Sequence, residues 1–320
     1  MSTLLLIRSE IESLLDPMTL LAGLRQAFID YSTSPAAKAH RVRSQLPGLG
    51  TATVLFPGTT PGVPAYSVKV HAKFPGQSPA IRGVLCLHDV ENGELLAVMD
   101  STHLTAVRTG LAGALAADVL ACKEADTVAV IGAGVQGRCQ LRSFAALRRI
   151  HQASVYDVVP ERAATFAREL SSELGLAVEA AESAAEAVRG AGVVFTATWA
   201  RKPLILAGML APGAHVTTLG PDEPGKAEVA ADVIRNALFV CDDRMLAVEM
   251  GALGGVGLGS DAIAAELGEV LAGLHPGRTS SEQVTVYGGV GLAFQDLVAA
   301  WAIYQAARLR GVGRGIDFIA

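Results

Sequence analysis

The chain has 320 residues, 51% hydrophobic, 18% charged and only 5% aromatic, and its 26 Lys and Arg against 31 Asp and Glu give a net charge of −5. This length suggests two domains with a core that needs no staples, and the composition excludes a disordered chain. The acidic balance argues against a nucleic-acid binder, no apolar run is long enough for a membrane span, and four scattered cysteines without a C-x-x-C give neither a disulfide framework nor a zinc site.

The opening Met1–Arg8 is charged too early for a signal-peptide core, so a cytoplasmic protein is expected. A helix is predicted from Asp16 and Pro17, with Leu20, Leu21, Leu24 and Phe28 as its apolar stripe. Residues 32–64 are rich in Pro, Gly, Ser and Thr and read as short strands and turns. Tyr66–Phe74 alternates strictly: Val68, Val70, Ala72 and Phe74 take one face, and Ser67, Lys69, His71 and Lys73 the other. Gly83–Asp89 and Leu95–Met99 flank a turn at Glu91–Glu94 and make a hairpin. Ser101–Ala121 is a long helix with Leu104, Val107, Leu111, Leu115 and Val119 along one stripe and Arg108 near its rim.

From residue 127 the pattern becomes regular βα alternation. Strands are predicted at 128–131, 153–158, 176–180, 193–198, 215–219 and 238–241, with helices between the earlier ones. Continuous apolar strands alternating with helices specify a parallel sheet covered on both faces. The last helix spans about Leu292–Arg310.

The strand at 128–131 runs into Gly132-Ala133-Gly134-Val135-Gln136-Gly137, and a helix follows. In that context the glycines have separate tasks. Gly132 permits the tight turn, Gly134 lets a pyrophosphate approach the backbone, and Gly137 lets helix and strand pack closely. The opening N–H groups of the helix supply an anion site. Asp157 ends the second strand twenty residues past Gly137, where a carboxylate binds ribose hydroxyls and repels a 2′-phosphate. NAD is therefore expected, with NADP the less favoured cofactor. The competing reading is a glycine turn that holds no nucleotide.

The chemistry candidates lie elsewhere. Arg43 ends the basic run Lys38-Ala39-His40-Arg41-Val42-Arg43. Lys69 sits on the polar face of its strand, and Arg108 on the long helix. Cationic side chains of this kind hold a carboxylate, Arg bidentately. Each also has a plainer reading: a solvated loop charge, an exposed edge-strand charge and a helix-surface ion pair. Asp222, in Gly220-Pro221-Asp222-Glu223-Pro224-Gly225-Lys226, follows a predicted strand, where ligands of open parallel sheets bind. It reads equally as a turn former. Cys86 and His88 read as packing, and Gly251–Gly259 as a loop.

Six stretches in order carry a resemblance: Ser67-Val68-Lys69-Val70 with Phe74-Pro75-Gly76, Leu104–Thr109, Ile131–Gln136, Gly220–Lys226, Gly277-Arg278-Thr279-Ser280 and Gly289–Asp296. Together they resemble the ornithine cyclodeaminase/μ-crystallin family from about residue 40 to the C-terminus. The resemblance implies a homodimer whose NAD(P)-binding Rossmann domain, a doubly wound parallel sheet at 121–291, is inserted into a smaller α+β substrate and dimerisation domain of 1–120 plus 292–320. It implies small amino or imino acid substrates and activities of alanine dehydrogenase, ketimine reductase or ornithine cyclodeaminase type; from the composition and spacing given above, no metal, nucleic acid or membrane partner is expected. A cofactor-dependent binding protein is a third reading.

Carried over by position, Arg43, Lys69 and Arg108 grip the substrate carboxylate, Lys69 lies near the reacting Cα–N bond, and Asp222 is the acid/base at nitrogen. Thr109, Gly132, Gly134, Val135, Gln136, Gly137 and Asp157 contact the dinucleotide. Thr196, Ala197, Thr198, Val290 and Gly291 border its nicotinamide end. One departure matters. Ornithine-specific members resemble each other in an acid before a Leu-Met-Pro-like tripeptide, and here Val54 precedes Leu55-Phe56-Pro57. A buried substrate ammonium facing Val54 lacks its partner, at a cost of several kcal/mol. The leading expectation is therefore an amino or imino acid oxidoreductase, with the ammonia-releasing cyclodeaminase as the alternative.

Overall fold

The computed structural model describes residues 2–34, 41–48, 52–74, 77 and 79–318; Lys38, Ala39 and His40 of the basic run, and Pro75 and Gly76, lie outside them. In chain order the elements begin with β1 (Thr3–Leu6), α1 (Arg8–Leu14), α2 (Pro17–Thr33), β2 (Val42–Gln45), β3 (Ala52–Gly58), β4 (Ala65–Lys73), β5 (Ile81–Asp89), β6 (Leu95–Asp100) and α3 (Ser101–Leu120). Then come β7 (Thr127–Ile131), α4 (Val135–Leu147), β8 (Gln152–Tyr156), α5 (Pro160–Leu174), β9 (Ala177–Ala180), α6 (Ala184–Val188), β10 (Val193–Thr196), β11 (His215–Thr218) and α7 (Ala231–Arg235). The remainder is β12 (Leu238–Cys241), α8 (Arg244–Glu249), β13 (Ala265–Glu266), α9 (Leu267–Leu271), β14 (Thr285–Gly288), α10 (Ala293–Arg310) and β15 (Arg314–Ile316).

Two compact units partition the chain. One is Met1–Arg108 with Leu292–Ala320, and the other is Thr109–Gly291. The first division falls inside α3 rather than past its end at residue 120.

The first unit is a seven-stranded sheet, ordered β15-β1-β6-β5-β4-β3-β2. Its neighbours are antiparallel except β1 and β6. α2 starts as its sequence predicts: Pro17 takes the first turn, and the Asp16 carboxylate accepts the Thr19 N–H at 2.9 Å. Leu20, Leu24 and Phe28 are buried, and Phe28 meets Phe294 of α10 edge-on at 5.1 Å. α10 packs on β3, β4 and β5 as well as on α2.

β4 shows which of its two faces lies inside. Its alternation is as regular as predicted, and Ser67, Lys69, His71 and Lys73 are the buried side. The apolar side faces outward. Val42, Leu55, Val70 and Val84, paired in that order across β2, β3, β4 and β5, are 57%, 38%, 37% and 45% exposed. This arrangement has a physical cause: Lys69 and His71, two of the buried polar groups, find charged and hydrogen-bonding partners inside the unit, as described below.

The second unit is an eight-stranded, wholly parallel sheet, ordered β13-β12-β14-β11-β10-β7-β8-β9. Apolar clusters cover both faces. One gathers Ile131, Val194, Val216 and Phe239, and the other Val130, Phe144, Phe166 and Phe195. β14 was not foreseen, yet it lies between β11 and β12. The chain runs outward from β7 through β8 to β9, then crosses to β10 on the other side of β7, so the topological switch point is between β7 and β10. No helix among the described residues is long and apolar enough to cross a membrane, and no group of three His, Cys, Asp or Glu among them is placed to hold a metal.

Candidate active site

The parallel sheet brings most of the sequence candidates of its unit to one edge. Ile131 pairs with Thr196, Thr196 with Thr218, and Thr218 with Gly288. The segments that follow these residues therefore all emerge from the carboxyl ends of adjacent strands. They are the Gly132 turn, Ala197-Thr198, the Gly220–Lys226 loop and Gly289-Val290-Gly291.

Gly132 has φ +106°, a conformation that side-chain-bearing residues rarely adopt, and a Cβ there would come within 2.6 Å of the Ala197 carbonyl oxygen. A Cβ on Gly137 would lie 2.1 Å from the Gly132 carbonyl oxygen, so α4 packs directly on the turn. Beside Gly134 the space is open, and Val135 is 64% exposed. Gly134 is the N-cap of α4 and offers no side-chain bond to its first N–H groups. Those donors and the helix dipole favour an anion. The Gln136 Oε1 atom is buried and has no hydrogen-bond partner among the described residues.

The Asp157 carboxylate is fixed at the end of β8. It accepts the Ala133 N–H at 2.9 Å on one oxygen and the Val159 N–H at 3.0 Å on the other. A carboxylate has about four acceptor sites, so it retains capacity for ribose hydroxyls. Open backbone at Gly134, an uncapped helix start, an orphaned acceptor on Gln136 and a fixed carboxylate suit a dinucleotide. Val290 and Gly291 both donate their N–H groups to one oxygen of buried Asp242, at 2.8 and 2.7 Å. Thr109 is half-buried on α3.

Asp222 lies in the loop after β11 with its side chain 29% exposed, and it accepts the Lys226 ammonium at 2.7 Å. Lys226 is itself buried and sits 4.1 Å from the centre of the half-exposed Trp199 ring. Arg278, in one of the motifs behind the resemblance, donates to the carbonyl oxygens of Leu120 and Gln283 and ties backbone segments together.

The other unit holds a buried charge cluster. Lys69 Nζ is 2.6 Å from Asp296 Oδ2, and Arg108 Nε is 2.9 Å from Asp296 Oδ1; the three side chains are 1%, 5% and 0% exposed. Arg108 also donates to Gln295 Oε1. Burial pushes the Lys69 ammonium down to about 7, with Asp296 pulling it up and Arg108 and Arg41 pushing it further down. Burial alone would raise the Asp296 carboxyl, but the Arg108 and Lys69 charges outweigh it and hold the group below its ordinary range. Burial, then the Lys69 charge, pushes His71 down to about 3, so the ring is neutral; its Nε2 is 2.7 Å from the Ser101 hydroxyl.

Lys69 Nζ also lies 4.3 Å from the centre of the Phe56 ring, and the Arg41 guanidinium is 5.6 Å from the same ring. Arg43, the expected third cation, is exposed on β2 opposite Val54, while the cation beside Lys69 is Arg41. Val54 is 3% exposed and pairs with His71 across the β3–β4 ladder. Asp296 and Arg41, which join this cluster, are not among the sequence candidates. An acid inside the apolar run Phe294-Gln295-Asp296-Leu297-Val298 was the available signal, since a buried carboxylate needs a cation.

Comparison with known proteins gives a consistent answer. Residues 1–310 match the family described as the ornithine cyclodeaminase/mu-crystallin family. The chain is 31% identical to an alanine dehydrogenase of Archaeoglobus fulgidus, with 99% of each chain covered, and 33% identical to the ketimine reductase mu-crystallin of Mus musculus, with 71% and 70% covered. Among solved structures, Thermococcus litoralis Δ1-pyrroline-2-carboxylate reductase, in complex with NADH and L-proline, superposes with a TM-score of 0.93 at 30% identity, covering 98% of this chain and all of that one.

Proposed function

The chain belongs to the ornithine cyclodeaminase/mu-crystallin family, and on that premise we propose that it is an NAD-dependent oxidoreductase acting at the C–N bond of a small α-amino or cyclic α-imino acid. The observation that carries the reading is the cluster in which two buried cations, Lys69 and Arg108, share one carboxylate, Asp296. With Lys69 protonated, one positive charge of that trio is left over, and a substrate carboxylate is the anion that neutralises it. Charge-assisted hydrogen bonds from Arg108 and Lys69 orient that carboxylate, with Arg41 as the neighbouring cation in place of Arg43.

Asp222, ion-paired to Lys226, is the carboxylate that accepts or returns the proton at the substrate nitrogen. The glycine turn and the first N–H groups of α4 hold the diphosphate, and Asp157 holds the ribose hydroxyls. When bound, the dinucleotide supplies or accepts the hydride. Val54, buried where a side-chain ammonium would need an acid, favours a substrate without a second amine.

A substrate panel tests the reading: alanine, cyclic imine carboxylates and ornithine, each with NAD(H) and NADP(H). NADH is expected to be consumed with a cyclic imine, or formed with alanine. A 2′-phosphate beside Asp157 meets repulsion of up to about 4 kcal/mol at an effective dielectric near 20, so kcat/KM is expected to favour NADH over NADPH by about 10²-fold or more. Ammonia release from ornithine without net change in NADH overturns the assignment.

The outward apolar row gives the proposed homodimer its surface. An archaeal alanine dehydrogenase 32% identical to this chain is a dimer with bound NAD. Val42, Leu55, Val70 and Val84 form a band that a second copy would cover; each is already about half-buried, so covering the rest contributes roughly half of the about 1.5–3 kcal/mol of a fully exposed side chain. The double variant Val70→Lys, Val84→Lys is expected to shift the mass measured by light scattering from dimer to monomer. An unchanged dimer mass places the interface elsewhere.

A further inference from the structure

Glu228 stands two residues past the Gly220–Lys226 stretch and is not among the sequence candidates. It is 1% exposed. Five donors converge on it. Oε2 accepts the Thr196 hydroxyl at 2.6 Å, the Thr218 hydroxyl at 2.7 Å and the Gly220 N–H at 3.0 Å. Oε1 accepts the Thr198 N–H at 2.5 Å and the Thr198 hydroxyl at 2.7 Å. Thr196 and Thr218 are opposite each other at the carboxyl ends of β10 and β11. The same carboxylate thus fastens the strand end that leads through Ala197 and the one that leads, two residues past Gly220, to Asp222.

We propose that Glu228 is a positioning residue: its buried carboxylate sets the two strand ends that carry Thr196–Thr198 and Asp222, and an amide cannot replace it. The inference rests on the functional reading above, which places those segments against the dinucleotide and the reacting nitrogen. Its chemistry follows from the donors. Hydroxyl groups can rotate to accept, but a backbone N–H cannot reverse. Each Glu228 oxygen receives one backbone N–H, from Thr198 on one side and Gly220 on the other. A glutamine in either flip aims its own N–H₂ at one of them, leaving a buried donor opposed by a donor. The approach is also tight, for a Cβ on Gly220 would lie 2.2 Å from Glu228 Oε1.

Two variants test this, with NADH binding followed by fluorescence and turnover by absorbance. Glu228→Gln removes the charge at nearly constant shape, and Gly220→Ala keeps the charge but pushes the carboxylate aside. Both are expected to lower kcat by about 10²-fold, the usual consequence of a reacting group displaced by about 1 Å. KM for the amino or imino acid is expected to change less than about threefold, because the cations of the Asp296 cluster are untouched. Thr218→Val, which removes one hydroxyl and leaves both backbone bonds, is expected to retain kcat within about threefold, as is usual when a rotatable donor is lost and the fixed ones stay.

Should Glu228→Gln melt before it can be assayed, Gly220→Ala carries the same kinetic expectation. NADH affinity and kcat within twofold of the parent protein in either variant overturn the inference, whatever the melting temperature. Failure of the functional reading looks different, since the unmodified protein itself would then show no net NADH-dependent turnover of an amino or imino acid.

Discussion

Asp222→Asn is expected to lower kcat by about 10²–10⁴-fold, the range lost with a positioned general acid–base group. The substitution is a narrow one. Asparagine keeps the shape, and its oxygen can still accept the Lys226 ammonium that now sits 2.7 Å from Asp222. What disappears is the ability to take up and return a proton at nitrogen. KM for the substrate carboxylate should move little, because in the proposed reading Lys69 and Arg108 grip that carboxylate and this substitution leaves both untouched. The loop should stay in place, because Lys226 remains packed over Trp199. Steady-state kinetics with saturating NADH separate the two effects. A large fall in kcat at near-constant KM is the predicted pattern, and a KM effect alone would reassign Asp222 to binding.

Asp296→Asn is expected to cost about 3–5 kcal/mol of stability, the usual price of leaving a buried charge without its partner. Here two cations lose it together, since Lys69 and Arg108 both contact that carboxylate and all three side chains are buried. Chemical denaturation at neutral pH measures the loss. The variant also has a pH signature. Lys69, at about 7 in the folded protein and 10.5 when unfolded, binds fewer protons folded than unfolded between those values. Its contribution to stability is therefore fully present above 10.5 and is lost as pH falls through about 7. Asp296 has the carboxylate sign, with stability present above its unfolded value of 3.8 and lost as pH falls through its lowered folded value.

In the proposed reading, the charged form of Lys69 is the one that holds the substrate carboxylate. Substrate KM in the parent protein is expected to climb as pH rises through about 7. The groups acting on Lys69 are Asp296 on α10, Arg108 on α3 and Arg41 before β2. Its neighbour His71 on β4 is neutral across this range. Without Asp296 the ammonium loses the one charge that raises it, so the climb in KM should start at lower pH. An unshifted profile in Asp296→Asn would mean that Lys69 does not hold the substrate.

The dinucleotide unit was the more legible part of the sequence. Its signals are local: a glycine turn between a strand and a helix, and an acid at a fixed offset, all within about thirty residues. The cation cluster was legible only in pieces. Strict alternation in Tyr66–Phe74 identified a strand but not which side is buried, since period two is the same from either face. The deciding partner, Asp296, is supplied by α10 from the far end of the chain. Arg41 and Arg43 stand two apart in one basic run, so spacing alone could not choose between them.

β14 escaped notice because Thr285–Gly288 is four residues long and runs into glycines, which weakens any periodic signal. β1 and β15, of four and three residues, pair with each other across the length of the chain. Glu228 was invisible for another reason. Its donors come from the ends of two strands and the loops that follow, and nothing in Lys226-Ala227-Glu228 announces them.

Isotope transfer is the most direct check on hydride chemistry at a C–N bond. Incubation with NADH deuterated at the transferring C4 position and a cyclic imine carboxylate should yield an amino acid carrying one deuterium at Cα, seen by mass spectrometry as a gain of about one mass unit over the product from unlabelled NADH. Unlabelled amino acid, or intact NADH alongside ammonia freed from ornithine, would contradict the account.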